Sequence, residues 1–130
     1  MSVPVMTLDE VLDRDDVDAV AVCTSTDTHV DAIIRVARAG KAIFCEKPIS
    51  LDLTRVDEAL ATVDKCGVPL MVGFNRRFDP SHRAVRDAVV AGEVGEIHVV
   101  RITSRDPAPP PLAYIKVSGG HFFRYDRARF

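Results

Sequence analysis

Residues 18–49 read DAVAVCTSTDTHVDAIIRVARAGKAIFCEKPI, and they contain the strongest indications of the fold class. Its first part, residues 18–23, is continuously apolar after Asp18 and predicts a strand that is buried on both faces. Apolar residues then recur at the spacing of an amphipathic helix, at Val30, Ile33, Ile34 and Ala37. Gly40 ends this helix, and the apolar residues 42–45 predict a second buried strand.

The alternation of strand and helix patterns continues towards the C-terminus. A further helix is predicted before Gly67, with an apolar side formed by Leu53, Val56, Leu60 and Val63. Residues 70–73 (LMVG) predict a third short strand. Because strands that alternate with helices are typical of βαβ units, we predict an α/β protein with a parallel sheet whose strands end at one common edge.

Both ends of the chain carry weaker signals. Thr7 and Glu10 fit a capping box that begins a short helix. Asp79 and Pro80 fit the start of another helix, whose apolar side would contain Val85, Val89 and Val90. Residues 97–104 predict a strand with one wetter face, and residues 106–111 (DPAPPP) predict a rigid, extended loop.

Composition limits the class of protein. The chain has 130 residues, 47% of them hydrophobic and 28% charged, which is typical of one ordinary globular core. A net charge of −2 argues against nucleic acid as a partner. No apolar run approaches the ~18 residues of a membrane span, and no signal peptide is visible. Residues 1–73 carry 7 basic and 13 acidic side chains and residues 74–130 carry 10 and 6, which suggests a boundary near Gly73.

The three cysteines show no metal-ligand spacing and no disulfide framework. Cys23 and Cys45 lie within apolar runs, so we expect both to be buried thiols. A chain without disulfides is typical of the reducing cytoplasm, which is the localisation that we predict. His82, His98 and His121 likewise show no metal-ligand spacing, and no metal site is assigned.

Polar residues follow each of the three predicted strands. They are Cys23–Thr26, Glu46–Pro48 and Phe74–Arg77. In open α/β sheets the carboxyl ends of the strands form the crevice that binds ligands. Hydroxyl groups there can bind a ribose or an amide, a lysine can move a proton, and arginines can hold an oxygen-rich substrate.

Each of these segments also has a purely structural interpretation. Thr26 can be the N-cap of the following helix, and Glu46 with Lys47 can be a solvated pair. Arg76 can lie in an exposed turn, and His29 can be a histidine on a helix surface. No glycine-rich GxGxxG motif follows an opening strand, so the usual pyrophosphate cradle is missing from this sequence.

The stretch VAVCTSTDTHVDAIIRVARAGKAIFCEKPISLDL, residues 20–53, resembles the Gfo/Idh/MocA oxidoreductases, with a specific EKP signature and an upstream TxTxxH pattern. The stretches GFNRRFDPSHRAVR and GEVGEIHVVRITSRDPAPPPLAYIKVSGG are similar to the inositol 2-dehydrogenase branch of that family. The resemblance covers residues 6–120. It implies an NAD(P)-dependent dehydrogenase that transfers a hydride from a C–OH group of a polyol or sugar.

The resemblance also implies roles for individual residues. Lys47 matches the catalytic lysine, which also contacts cofactor and substrate. The residues that match the cofactor side are Thr24, Thr26, His29, Glu46 and Pro48. The bond before Pro48 matches one that is often cis in the family. Asn75 and Arg76 match positions in the substrate pocket. Residues 1–73 would then be part of a Rossmann-like cofactor domain, and residues 74–130 would begin an α+β substrate domain that commonly forms a homo-oligomer.

The chain also departs from the family pattern. The glycine-rich βαβ unit of the family would precede Met1, and the aspartate and histidine expected after Gly120 are not in register. His121 and Asp126 therefore receive no catalytic role. We expect a partial form that binds the cofactor weakly or not at all and has impaired turnover. The alternatives are a non-catalytic interaction module of the same fold and, more remotely, an unrelated doubly wound binding protein.

Overall fold

The computed structural model describes residues 4–103. The chain divides into two compact units, Met1–Gly73 and Phe74–Phe130. The first unit holds all three strands, β1 (Ala19–Val22), β2 (Ala42–Cys45) and β3 (Leu70–Val72). Its helices are α1 (Leu8–Leu12), α2 (His29–Arg38) and α3 (Leu53–Cys66). The described part of the second unit contains a short 3-10 helix, Asn75–Arg77, followed by one α-helix, α4 (Pro80–Val90).

The three strands form a parallel sheet in the order β1-β2-β3. Val22 is opposite Cys45, and Cys45 is opposite Val72, so all three strands end at the same edge. This architecture confirms the predicted α/β class and its parallel sheet. Gly40 and Gly67 follow α2 and α3 with positive φ angles of 73° and 66°, a conformation that glycine adopts at little cost.

The core lies between the sheet and α2, with α3 packed against α2. The buried residues of α2 include the four that the helical spacing predicted. The complete cluster is Val22, Val30, Ile33, Ile34, Val36, Ala37, Ile43, Cys45, Ala59 and Val63. An apolar helix face on an apolar sheet face is the expected driving force for folding.

The prediction that β1 is buried on both faces is wrong. Side chains alternate along a strand, so one face of the sheet carries Val22, Ile43 and Cys45, which are buried. The opposite face, here called the open face, carries Ala19, Ala21, Phe44 and Met71. Ala21 is exposed and Met71 is 47% exposed. Consecutive right-handed crossovers in one direction place their helices on the same side of a sheet, which explains why one face stays uncovered in the described residues.

The same alternation corrects the assignment of Cys23, which is exposed rather than buried. Cys45 is buried as predicted, and burial raises the pKa of its thiol to about 11. We therefore expect an alkylating reagent at about pH 8 to label Cys23 and Cys66 and to reach Cys45 only after unfolding. Mass spectrometry of the labelled peptides would check this. Labelling of Cys45 as fast as that of Cys66 would contradict the buried position.

Two further predictions need correction. Leu53 and Leu60 are exposed on α3, whereas Ala59 and Val63 are its buried residues. A small alanine in the core cluster lets α2 and α3 approach closely. Residues 97–103 form no strand, since a strand requires a hydrogen-bonded partner and the described residues offer none. Ser104 and residues 106–111 lie outside the described residues.

Lys41 anchors the segment between α1 and β1. Its side chain is buried, with 8% exposure, and its Nζ donates hydrogen bonds to the carbonyl oxygens of Arg14 (2.7 Å) and Val17 (2.9 Å). The predicted capping box of α1 is confirmed, because Glu10 accepts from the Thr7 amide and Thr7 accepts from the Glu10 amide.

We expect Lys41→Met to destabilise the protein by about 1–3 kcal/mol, because it removes both donors and leaves two carbonyl oxygens unsatisfied. The free energy of unfolding from urea titration would measure this loss. Lys65→Met is the matched control, since Lys65 is exposed on α3. Equal effects of the two substitutions would contradict the anchoring role of Lys41.

No helix within residues 4–103 is long and apolar enough to cross a membrane.

Candidate functional site

The sheet places two of the predicted segments side by side. The Glu46 amide donates to the Val22 carbonyl oxygen at 2.9 Å, which continues the ladder one residue beyond β2. Thr24 and Lys47 therefore leave neighbouring strands at the same edge. We call this edge the β1–β2 rim and define it as residues 23–28 and 46–48.

Two threonine side chains of the rim show how its hydroxyl groups are oriented. The Thr28 hydroxyl donates to the Ser25 carbonyl oxygen at 2.8 Å and lies 2.7 Å from the Thr24 hydroxyl. Since a hydroxyl has one proton, Thr28 uses its proton on Ser25, and Thr24 must donate to Thr28. The oxygen of Thr24 therefore keeps free lone pairs at an exposed position, where it can accept a hydrogen bond from a ligand N–H or O–H group.

Thr28 was missed by the sequence reasoning, although its i, i+4 spacing from Thr24 was a signal. The structural interpretation of Thr26 as the N-cap of α2 is wrong. Thr28 occupies that N-cap, without a side-chain cap hydrogen bond, and Thr26 lies inside a short 3-10 turn, Thr26–Thr28.

Glu46 and Lys47 do not form the solvated ion pair that was the alternative interpretation. The Glu46 carboxylate instead accepts a hydrogen bond from the Lys47 backbone amide at 3.3 Å. The Lys47 ammonium group is exposed and has no hydrogen-bond or ion-pair partner within residues 4–103. The peptide bond between Lys47 and Pro48 is cis, as the resemblance predicted.

Gly73 shapes the space beside Glu46, and sequence reasoning assigned it no role. Its amide donates to the Cys45 carbonyl oxygen at 2.8 Å. A Cβ atom at this position would lie 2.9 Å from the Phe44 Cζ atom and 3.3 Å from the Glu46 carboxylate. A side chain here would shift the Phe44 ring or the Glu46 carboxylate, and glycine leaves both in place.

His29 lies beneath the rim with only 1% of its surface exposed. Its Nδ1 atom is 2.9 Å from the Pro48 carbonyl oxygen, and its Nε2 atom is 3.0 Å from the Thr24 carbonyl oxygen. The interpretation as a surface histidine is therefore wrong. This residue connects the Thr24 segment with the Lys47–Pro48 segment.

The second unit holds the remaining predicted residues. Asn75 and Arg76 line an open pocket of about 430 Å³ together with Phe78, Asp79 and His82. Arg76 Nη1 lies 3.1 Å from His82 Nε2, and His82 Nδ1 lies 3.0 Å from the Asp79 carboxylate. Hydrogen bonds from His82 hold the pKa of Asp79 below its usual value.

Through this network Arg76 is hydrogen-bonded to His82, so it is not merely an exposed turn residue. An arginine donates and cannot accept, so His82 Nε2 must be the acceptor and Nδ1 the donor to Asp79. Asn75 and Arg76 bring an amide and a guanidinium group to one concave surface, which suits a ligand with several oxygen atoms. Among the described residues, no group of three or more His, Cys, Asp or Glu side chains could hold a metal ion.

Comparison with known proteins identifies what this chain is similar to. An "Inositol 2-dehydrogenase" of Rhizobium meliloti (strain 1021) is 56% identical over 131 residues, which is 97% of this chain and 40% of the relative. A "Myo-inositol 2-dehydrogenase" of Thermotoga maritima is 50% identical over 126 residues, or 93% of this chain and 38% of the relative. The chain thus spans about two fifths of the length of these curated relatives.

One of the solved structures similar to this chain contains bound ligands. The scyllo-inositol dehydrogenase of Lactobacillus casei, crystallised with NAD(H) and scyllo-inositol, superposes with a TM-score of 0.65 at 30% identity. The match covers 70% of this chain and 27% of that one. The family profile named GFO_IDH_MocA, described as "Oxidoreductase family, NAD-binding Rossmann fold", matches residues 2–74. The chain therefore belongs to the Gfo/Idh/MocA oxidoreductases with an NAD-binding Rossmann fold, and the resemblance seen in its sequence is confirmed.

Proposed function

We propose that the β1–β2 rim of this chain belongs to the active site of an NAD-dependent oxidoreductase that oxidises a C–OH group of a polyol or sugar. NADP is the other possible cofactor. Met1–Gly73 would be the partial cofactor unit, and Phe74–Phe130 would begin the substrate unit. The observation that supports this most directly is the exposed Lys47 ammonium group, which has no partner within residues 4–103 and lies on the same rim as the Thr24 hydroxyl. The three free cysteines fit a cytoplasmic enzyme, and we propose a homo-oligomer.

The rim fits the nicotinamide end of the cofactor. The free lone pairs of Thr24 suit a carboxamide N–H or a ribose hydroxyl, both of which can donate. We propose that Thr24, Thr26, Glu46 and Pro48 bind this end of the cofactor, with His29 supporting them from below. NAD supplies the hydride acceptor when it is bound.

Lys47 is the residue that we propose to handle the proton. An ammonium group donates to the oxygen of a substrate hydroxyl, and the neutral amine can accept the proton that the hydroxyl loses as it becomes a carbonyl. Because Glu46 binds the Lys47 backbone amide and not the ammonium group, the charge stays available for the substrate. In the second unit, Asn75 and Arg76 are the residues that we propose to bind polyol hydroxyl groups.

A second candidate is a non-catalytic interaction module of the same fold. The open face favours it, since Ala21 and Met71 are exposed there. The 130 residues contain no glycine-rich phosphate loop, so we propose that the chain by itself binds NAD weakly and turns over slowly.

Two measurements distinguish these candidates. Calorimetric titration with NAD, together with absorbance at 340 nm during incubation with myo-inositol, would follow binding and turnover. We expect weak NAD binding and slow reduction of NAD that Lys47→Met abolishes. No NAD binding and no turnover that depends on Lys47 would favour the interaction module instead.

A further inference from the structure

The His29 side chain has two hydrogen-bond partners, and both are backbone carbonyl oxygens. They belong to Pro48, at 2.9 Å from Nδ1, and to Thr24, at 3.0 Å from Nε2. A carbonyl oxygen accepts hydrogen bonds and cannot donate them. Both contacts can therefore be hydrogen bonds only when each ring nitrogen carries a proton. In a neutral ring one of the two nitrogens has no proton, and its lone pair would face the lone pair of a carbonyl oxygen.

The two partners lie on the two segments of the β1–β2 rim. Thr24 belongs to the segment that leaves β1, and Pro48 follows Lys47 on the segment that leaves β2. The sheet holds these segments together only as far as the hydrogen bond from the Glu46 amide to Val22. Beyond that point, His29 is the side chain that bridges them in the described residues.

We propose that His29 is a positioning residue that holds the Thr24 hydroxyl and the Lys47 backbone in register, as a doubly protonated imidazole buried beneath the rim. It would act through Thr24 and Pro48 without touching the substrate. Its benefit for catalysis depends on the proposed function, because the groups that it positions are the proposed cofactor ligand and the proposed proton carrier. The bridge itself does not depend on that function.

The protonation of the ring can be measured directly. In the chain labelled with 15N-histidine, a long-range 1H–15N spectrum at about pH 7 reports whether each ring nitrogen bears a proton. His29→Gln identifies the signals of this ring by their loss, and we expect both of its nitrogens to be protonated in the parent chain. A single N–H group would overturn the doubly protonated bridge.

Amide hydrogen exchange tests the positioning role. His29→Phe keeps a planar ring but loses both donors, so we expect the amides of Thr28 and Lys47 to exchange about five- to tenfold faster. The Ile43 amide, bound to Pro69 inside the sheet, should change less and reports global stability. Equal acceleration at all three amides, or no acceleration, would contradict positioning.

Two variants keep this test decisive. His29→Gln retains one donating group, so we expect it to keep the amide of one rim segment protected while the amide of the other exchanges faster. This variant replaces His29→Phe in the test if His29→Phe does not fold. His98→Gln is the matched control, because His98 is exposed and lies outside the rim. None of these readouts uses NAD or a polyol, so failure of the proposed function and failure of the bridge would be distinguishable.

Discussion

Replacing Lys47 with methionine is expected to lower polyol-dependent reduction of NAD by about 10²–10⁴-fold, the usual contribution of an acid–base group. Methionine keeps an unbranched apolar side chain but has no amine group that could donate or accept the proton. The measurement needs a host with high turnover. Residues 6–120 of this chain, the stretch that follows the family pattern, would replace the matching segment of the Rhizobium meliloti inositol 2-dehydrogenase, to which the chain is 56% identical, and the rate would be followed at 340 nm.

The grafted enzyme separates the role of the ammonium group from that of general charge. Lys65→Met removes an equivalent charge from the exposed surface of α3 and should leave the rate unchanged. The pocket residues Asn75 and Arg76 remain intact in both variants. A Lys47→Met graft that retained more than about a tenth of the parental rate would contradict the proposed proton transfer.

The largest effect on stability is expected for Ile33→Ala, at about 2–5 kcal/mol. Ile33 is 0% exposed and belongs to the helix α2, which packs on β1 and β2. Removing its branched side chain loses buried apolar surface and leaves a cavity against the sheet, because neighbouring elements relax only in part. Urea titration monitored by circular dichroism would give the change in the free energy of unfolding.

Leu53→Ala provides the control for this core substitution. It also removes a large aliphatic side chain from a helix, but Leu53 is 67% exposed. We expect a loss within about 0.5 kcal/mol, the usual range for surface positions. A loss similar to that of Ile33→Ala would mean that Leu53 is buried in solution.

The elements of the first unit were predictable from local chemistry. Val30, Ile33, Ile34 and Ala37 lie on one side of a helix whichever sheet it packs against, and Gly40 ends that helix through its own backbone freedom. The parallel arrangement of the strands followed from the alternation of strands and helices, whereas their order was not predicted. These signals depend on residues close together in the chain.

The misses depend on contacts between distant residues. Burial of β1 on both faces requires other elements on both sides of the sheet. The apolar sequence of residues 19–23 is compatible with one covered face or with two. Leu53 and Leu60 match a helical stripe as well as Ala59 and Val63 do, and only the approach of α2 selects between them.

The candidate site was predicted in part. The polar residues after β1 and β2 pointed to a common edge, which the strand register confirms. The bridge from His29 to Thr24 and Pro48 spans 5 and 19 residues of sequence, and its partners are backbone oxygens that no residue letter identifies. The roles of the individual site residues stay predictions.

Three hydrogen bonds surround Lys47 without touching its ammonium group. They fix the amide of Glu46, the amide of Lys47 and the carbonyl group of Pro48. The backbone around Lys47 is thus held by hydrogen bonds, and its exposed four-carbon side chain extends from that backbone. A change in side-chain length at position 47 is therefore expected to move the proposed proton-handling group relative to the rim without remodelling any loop.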